Sequence, residues 1–220
     1  MKPAHKADSL ILVYSCDPRV LLQGGGIMGA FHTATAKPAF NPTGTEGFAF
    51  VEFTSTQPNL LHTLFQKLGF SAVSKHPQKP LTWYQQGNIH FLVNDRPYGF
   101  TADFEQRHGP SACAMGFSVK DASQAYQYAI SHGAHQCLSR SLEFQVPAIF
   151  GIGDSVLYLV DSNNNPATHS SHFKKLPSSS EFTNTPPVGL LEVDHLTHNV
   201  FQGKMDSWAG FYQDIFNFHE

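Results

Sequence analysis

The sequence predicts an α+β fold built from a repeated βαβββ unit, with two copies complete and a third incomplete. A strand, a helix and three short strands follow one another over residues 47–93, and the same order returns about 60 residues later, as in modular folds. The chain then becomes rich in Ser, Asn and Pro between 161 and 189, which is typical of a linker. After that segment a strand and an amphipathic helix begin again, which indicates a third copy.

The first unit begins with the aromatic segment 47–53, which has the composition of a strand. Ser55 or Thr56 is expected to cap a helix, because both side chains accept hydrogen bonds from backbone N–H groups. Leucine and phenylalanine then recur at helical spacing until Gly69, where the helix should end. The remaining predicted elements of this part are short: strands at 71–74, 81–85 and 89–93 and a helix near 102–107.

The second unit follows the same plan. Residues 113–119 form its first predicted strand, and Asp121 is expected to cap the helix that follows. That helix should end at Gly133. Its three further predicted strands lie around 136–138, 142–145 and 156–160.

These patterns divide the chain into four predicted segments. They are a poorly ordered extension at 1–44, an N-terminal domain of two units at 45–163, a linker at 164–189, and the start of a C-terminal domain at 190–220. The third unit has a strand at 190–200 and a helix with one apolar face between Met205 and Phe216. A strand and a helix alone cannot bury their apolar faces, so we expect this unit to be incomplete.

Composition excludes several classes of partner. The net charge is −3 at pH 7, and Lys174-Lys175 is the longest basic run, so we expect no nucleic-acid partner. Three cysteines without a CxxC pair favour a reduced, cytoplasmic protein. The apolar run at 10–14 is too short for a membrane span or the core of a signal peptide, so we expect no membrane partner.

One segment is a candidate metal site, namely Asp194-His-Leu-Thr-His. Side chains alternate between the two faces of a strand, so His195 and Thr197 should share a face while His198 lies on the other. Only one of the two histidines can therefore serve a given site. The spacing alone leaves two interpretations open: His195 is a metal ligand, or it is a strand histidine satisfied by local contacts.

Short motifs occur in a fixed order along residues 41–220. They are Asn41-Pro-Thr-Gly, His108-Gly-Pro-Ser, Cys113-Ala-Met-Gly-Phe, Gly151-Ile-Gly, Leu157-Tyr-Leu-Val-Asp and Asp194-His-Leu-Thr-His-Asn-Val. In this order and spacing the chain resembles bacterial 4-hydroxyphenylpyruvate dioxygenases. Residues 1–40 lie outside that resemblance.

The resemblance implies a vicinal-oxygen-chelate fold in which the C-terminal pair of units holds Fe(II). The iron of this family is bound by two histidines and one carboxylate. His195 matches the first histidine, whereas the other two ligands correspond to positions beyond Glu220. We therefore expect an incomplete iron site and no turnover by this chain alone.

The resemblance also implies the reaction and the partners. The substrates would be 4-hydroxyphenylpyruvate and O2, the products homogentisate and CO2 in tyrosine catabolism, and the full-length protein a homo-oligomer. Aligning the units places Phe53, Ala114 and Leu159 at the three ligand positions of the N-terminal pair, which implies a scaffold that cannot bind iron. Two alternatives stay open: a hydroxymandelate synthase-like enzyme, and a metal-free module that binds a small molecule or a partner chain.

Overall fold

Strands and helices alternate along the residues that the computed structural model describes, which are 11–15, 41–57, 59–138, 144–165, 173–177, 185–216 and 218. The strands of this part of the chain are β1 (Ile11–Ser15), β2 (Thr45–Thr54), β3 (Ser71–Lys75), β4 (Leu81–Gln86), β5 (Ile89–Asn94), β6 (Ser111–Val119), β7 (Ala148–Phe150), β8 (Val156–Asp161), β9 (Lys174–Lys175) and β10 (His195–Asn199). Its α-helices are α1 (Leu60–Lys67), α2 (Phe100–His108), α3 (Ala122–Ser131) and α4 (Met205–Phe216). The predicted α+β class is confirmed.

Local sequence signals explain α3 better than α1. The side chain of Asp121 accepts a hydrogen bond from the Gln124 N–H at 2.8 Å, as predicted for an N-cap. The predicted cap of α1 is wrong, because Asn59 precedes that helix in a left-handed conformation (φ 63°) and no side chain caps it. Ser55 instead accepts a hydrogen bond from the Gln57 N–H at 3.1 Å, which closes a turn before the helix begins.

Eight of the described strands form one sheet in the order β7-β8-β6-β2-β5-β4-β3-β9. At its centre β2 pairs with β6 antiparallel, and each of these strands pairs on its other side with a parallel neighbour, β5 or β8. The predicted first unit corresponds to β2 to β5, and the predicted second unit to β6 to β8. Two copies of one βαβββ unit would produce this near-symmetric order if their first strands paired.

The structure departs from the predicted elements at several points, among them the strand predicted at 190–200, of which only His195–Asn199 (β10) is a strand. Around Gln136 it has a single β-bridge to Ile149 instead of a strand, and β7 forms where no strand was predicted. Part of the strand predicted at 142–145 lies outside the described residues. The predicted linker contributes β9, which pairs with β3, and the predicted extension contributes β1, which pairs with β10. The four-segment division of the chain stays a prediction.

The two faces of the sheet carry different cores. One face is covered by α1, α3 and α4, and its buried residues include Val51, Phe117 and Leu159. The opposite face is filled by large aromatic side chains around Phe50, whose ring centroid lies 5.3 Å from that of Trp83. Close aromatic packing of this kind fills the space on this face of the sheet with side chains.

The segment predicted to begin a third unit is attached to the helix-covered face through α4. Its buried residues Ala209, Tyr212, Ile215 and Phe216 are those expected from the predicted apolar face. The ring of Phe216 lies 4.6 Å from that of Phe117 on β6. Burial of four side chains, two of them aromatic, makes α4 the principal anchor of β10 on the sheet.

Candidate functional site

The candidate strand β10 lies above the helix-covered face of the sheet. Among the described residues its backbone pairs only with β1, with Ser15 opposite His195 and Leu12 opposite His198. His195 and Thr197 are exposed, whereas Leu196 and His198 are half-buried. Side chains of β10 therefore alternate as the sequence indicates, and His195 faces away from α4.

His195 is oriented by the residue that precedes it. Its Nδ1 lies 2.6 Å from Oδ2 of Asp194, with 44% of the His195 side chain and 65% of the Asp194 side chain exposed. An ionised carboxylate only accepts, so in this contact Nδ1–H would donate and the lone pair would remain on Nε2. This carboxylate–histidine arrangement is common among histidines that bind metals. The sequence signal for this contact is the dipeptide Asp194-His195. The prediction considered only the faces of the strand and so did not include the contact.

One donor does not make an iron site. No group of three His, Cys, Asp or Glu side chains that could hold a metal occurs among the residues that the structure describes. His195 suits a single position of a two-histidine, one-carboxylate set, but the described residues do not complete that set. A second histidine and a carboxylate would have to come from outside them.

His198 occupies a different environment. Its ring stacks on that of Tyr212 in α4, with centroids 5.9 Å apart and an angle of 23° between the planes. Burial lowers the pKa of His198 below its ordinary value, because desolvation disfavours the charged imidazolium. His198 thus packs β10 onto α4 as a neutral aromatic side chain.

Two cavities flank β10. The larger, of about 800 Å³, contains His198 and is lined by apolar residues that include Met115, Leu196 and Trp208. The smaller, of about 530 Å³, contains His195 together with Asp194 and Glu192. Phe53 and Phe91 from the sheet and Phe70, which precedes β3, line the smaller cavity as well, so polar donors and an apolar wall meet beside His195.

The N-terminal sheet places a carboxylate where an apolar side chain was expected. Phe53 and Leu159 lie on the helix-covered face, so the predicted trio of Phe53, Ala114 and Leu159 is wrong in two positions. The inward neighbours in register across β2, β6 and β8 are Glu52, Ala114 and Val156. Glu52 is buried and accepts a hydrogen bond from the Asn94 side chain at 2.7 Å.

That trio has one carboxylate and two side chains without a donor atom. It cannot reproduce a site of two histidines and one carboxylate. We therefore still expect no iron binding by this half, but for Glu52, Ala114 and Val156 instead of the trio that the alignment gave. The Glu52–Asn94 hydrogen bond instead ties β2 to β5 across the buried face of the sheet.

Other histidines have structural contacts. His62 links α1 to the sheet, since its two ring nitrogens each lie 2.7 Å from an oxygen, one on Tyr84 and one on Asp95. His76 accepts two backbone N–H hydrogen bonds in the turn before β4. His169 and His172, which the sequence places in the linker, lie outside the described residues.

Among the helices of the described part, none has the length and apolar character to cross a membrane.

Comparison with known proteins gives one family. Residues 40–173 match the family described as hydroxyphenylpyruvate dioxygenase, N-terminal. The chain is 43% identical over 187 residues to hemolysin VllY of Vibrio vulnificus, covering 83% of this chain and 52% of that protein. It is 44% identical over 185 residues to a 4-hydroxyphenylpyruvate dioxygenase of Legionella pneumophila, covering 82% of this chain and 50% of that protein.

A solved structure has the same fold. A fusion of a xylose isomerase-like TIM barrel with a 4-hydroxyphenylpyruvate dioxygenase matches with a TM-score of 0.67 and 29% sequence identity. The match covers 83% of this chain and 29% of the fusion protein. The chain thus spans about half the length of the curated relatives it matches.

Proposed function

The chain belongs to the hydroxyphenylpyruvate dioxygenase family, and on that premise we propose that it forms the N-terminal half of an Fe(II)-dependent 4-hydroxyphenylpyruvate dioxygenase. The proposed reaction converts 4-hydroxyphenylpyruvate and O2 to homogentisate and CO2, in tyrosine catabolism. The observation that carries the proposal is the 44% identity over 185 residues to the Legionella pneumophila dioxygenase.

The residues of this chain have separate parts in the proposal. His195 supplies one neutral nitrogen donor through Nε2, and the Asp194 carboxylate keeps the proton on Nδ1. When bound, iron in such a site offers open positions where a keto acid and O2 meet. The apolar wall beside His195 excludes water from that side of the site.

The N-terminal sheet acts as the scaffold for β10. Among the described residues its inner face carries no group of side chains that could hold a metal, and its helix-covered face receives α4. We assign the oligomeric contacts of the full-length protein to this half, because the chemistry requires none of its exposed side chains.

Two proteins test the proposal: the 220-residue chain, and the same chain continued into the C-terminal half of the Legionella pneumophila relative. Circular dichroism and size-exclusion chromatography establish that both fold. The chain alone should bind Fe(II) weakly and form no homogentisate, because one imidazole does not hold a labile divalent ion against water. The continued protein should bind one iron per subunit and form homogentisate.

Two substitutions in the continued protein test the role of His195. His195→Ala should abolish iron loading and turnover, whereas the matched change His198→Ala should leave iron in place, since that ring faces α4. Iron per subunit and chromatography of the product separate these cases. Loss of iron from His198→Ala with retention in His195→Ala would contradict the assignment.

The product distinguishes the alternatives. Formation of 4-hydroxymandelate in place of homogentisate would indicate the hydroxymandelate synthase-like activity. A folded, continued protein that binds no iron would favour a metal-free binding module and refute the proposed function.

A further inference from the structure

We propose that Gln86 is a positioning residue for His195, an inference that rests on the proposed function. Gln86 is the last residue of β4 and lies on the N-terminal sheet, far along the chain from the candidate ligand. Its side chain holds residues 185–191, which lead into β10, against the N-terminal domain. We name this segment, 185–191, the lead-in segment.

The amide of Gln86 joins three parts of the fold. Its Oε1 accepts backbone N–H hydrogen bonds from Val188, Gly189 and Leu190, at 2.7, 3.1 and 3.3 Å. Its Nε2 donates to the backbone carbonyl of Leu68, at the end of α1, at 2.9 Å. Gln86 is only 4% exposed, so its side-chain amide is shielded from water and would be costly to leave unpaired.

Two glycines let the lead-in segment approach the sheet closely. A Cβ at Gly87 would lie 2.7 Å from the carbonyl oxygens of Leu190 and Leu191, and a Cβ at Gly69 would lie 2.8 Å from the Val188 nitrogen. Both glycines have positive φ, so both the space and the backbone require glycine. A backbone hydrogen bond from the Asn88 N–H to the Leu191 carbonyl, 2.7 Å long, completes the contact.

Apolar burial contributes little to this attachment. The side chains of Val188 and Leu191 are 63% and 72% exposed, so their transfer from water is far from complete. The polar contacts of Gln86 therefore hold the lead-in segment together with the close backbone approach and a hydrogen bond from the Ser71 hydroxyl to the Thr185 carbonyl at 3.2 Å.

The attachment restricts His195 directly. Four residue steps separate Leu191 from His195, and an extended chain covers at most about 3.6 Å per residue, so His195 stays within about 14 Å of the attachment. From the other side, α4 anchors β10 through its own buried face. With both ends held, β10 presents the His195 imidazole at a defined place, as a metal site requires of its ligands.

Three variants of the 220-residue chain test the attachment: Gln86→Met, Gln86→Glu and Gln85→Met. Gln86→Met keeps the length of the side chain but removes the acceptor and the donor. Gln86→Glu keeps an acceptor for the three N–H groups. Gln85→Met makes the same change at the neighbouring exposed position of β4, where the Gln85 Nε2 donates to the Gly87 carbonyl at 3.1 Å and not to the lead-in segment, so it shows whether any hydrogen bond lost at this end of β4 has the same effect.

The first readout is amide hydrogen exchange by NMR. In Gln86→Met the amides of Val188, Gly189 and Leu190 should exchange at least tenfold faster, while amides of β2 and β6 and the urea midpoint stay near wild type. Gln86→Glu should restore protection of these three amides, and Gln85→Met should leave it unchanged. Faster exchange throughout the sheet, or unchanged exchange at 188–190, would overturn the proposal, because both results contradict a local attachment.

The second readout is Fe(II) affinity in the continued protein. Gln86→Met should weaken Fe(II) binding by about tenfold or more, in the range seen when a partner that orients a metal ligand is removed. Lost protection at 188–190 with unchanged iron affinity would overturn positioning and leave the proposed function intact. A wild-type continued protein that bound no iron would overturn the proposed function, and the positioning role with it.

Discussion

Gly116 and Phe50 form a pair whose packing can be tested quantitatively. Gly116 lies in register between Phe50 of β2 and Tyr158 of β8. Its backbone φ is not positive, so alanine is acceptable to the main chain there. An added Cβ would nevertheless lie 2.6 Å from Cε1 of Phe50 and 2.7 Å from Cδ1.

The expected cost follows from these distances. Carbon atoms pack best at about 3.5–4.0 Å, so the Phe50 ring would have to move by about 1 Å. The ring cannot do so freely, because the rings of Trp83 and Phe144 lie 5.3 and 5.1 Å from it, centroid to centroid. Gly116→Ala should therefore destabilise the protein by about 1–3 kcal/mol, as overpacked cores do. Phe50→Ala should cost about 3–5 kcal/mol through the cavity that it leaves.

The double variant distinguishes steric conflict from a general loss of stability. With Phe50 replaced by alanine, the methyl group at position 116 meets open space, so the two free-energy changes should sum to more than the cost measured for the double variant. Urea unfolding followed by tryptophan fluorescence measures all three variants. Gly210→Ala is the matched control, since nothing lies within 4 Å of its added Cβ and alanine favours the helix. Additive costs, or a neutral Gly116→Ala, would refute the packing argument.

Two further predictions concern pH. Burial lowers the pKa of His198 below 6.5, so the unfolded chain binds a proton first and stability falls as pH decreases below 6.5. His198→Phe should make the urea midpoint less dependent on pH between pH 7 and 5. Part of the dependence should remain, because burial lowers the pKa of His90 as well. A midpoint that depends on pH as strongly as in the wild type would contradict this prediction. The Gln124 backbone N–H lowers the pKa of Asp121 below 3.8, so its contribution is present above 3.8 and is lost as pH falls through the folded value. Asp121→Asn should keep the helix cap and reduce the loss of stability below pH 4, and a variant as acid-sensitive as wild type would be evidence against the capping role.

Local signals predicted the elements whose determinants are local. Asp121 caps α3 because its partner is three residues away, and α4 is recognisable from apolar residues at helical spacing. In the candidate site, the separation of His195 and His198 onto opposite faces follows from the period of two that any strand has.

Features that depend on distant pairing were not predictable. β1 and β10 pair although most of the chain separates them in sequence, and neither segment has a sequence pattern that indicates the other as its partner. Aligning the units placed Phe53 at a ligand position, whereas alternation along β2 puts Glu52 on the inner face and Phe53 on the helix-covered face, so that alignment was out by one residue in this strand. The role of Gln86 depends on contacts with residues more than a hundred positions away, and a single glutamine in a strand carries no sign of them.

β9 gives the sheet a protected end. It is two residues long, it pairs with β3 at the outer edge of the sheet, and both of its side chains, Lys174 and Lys175, are exposed. An open edge offers unpaired N–H and C=O groups that another chain can extend into a larger sheet. Two sheets that met at β9 would bring lysine ammonium groups from both copies close together. β9, a short stretch of the predicted linker, therefore disfavours edge-to-edge polymerisation at this end of the sheet. This effect is separate from joining two domains.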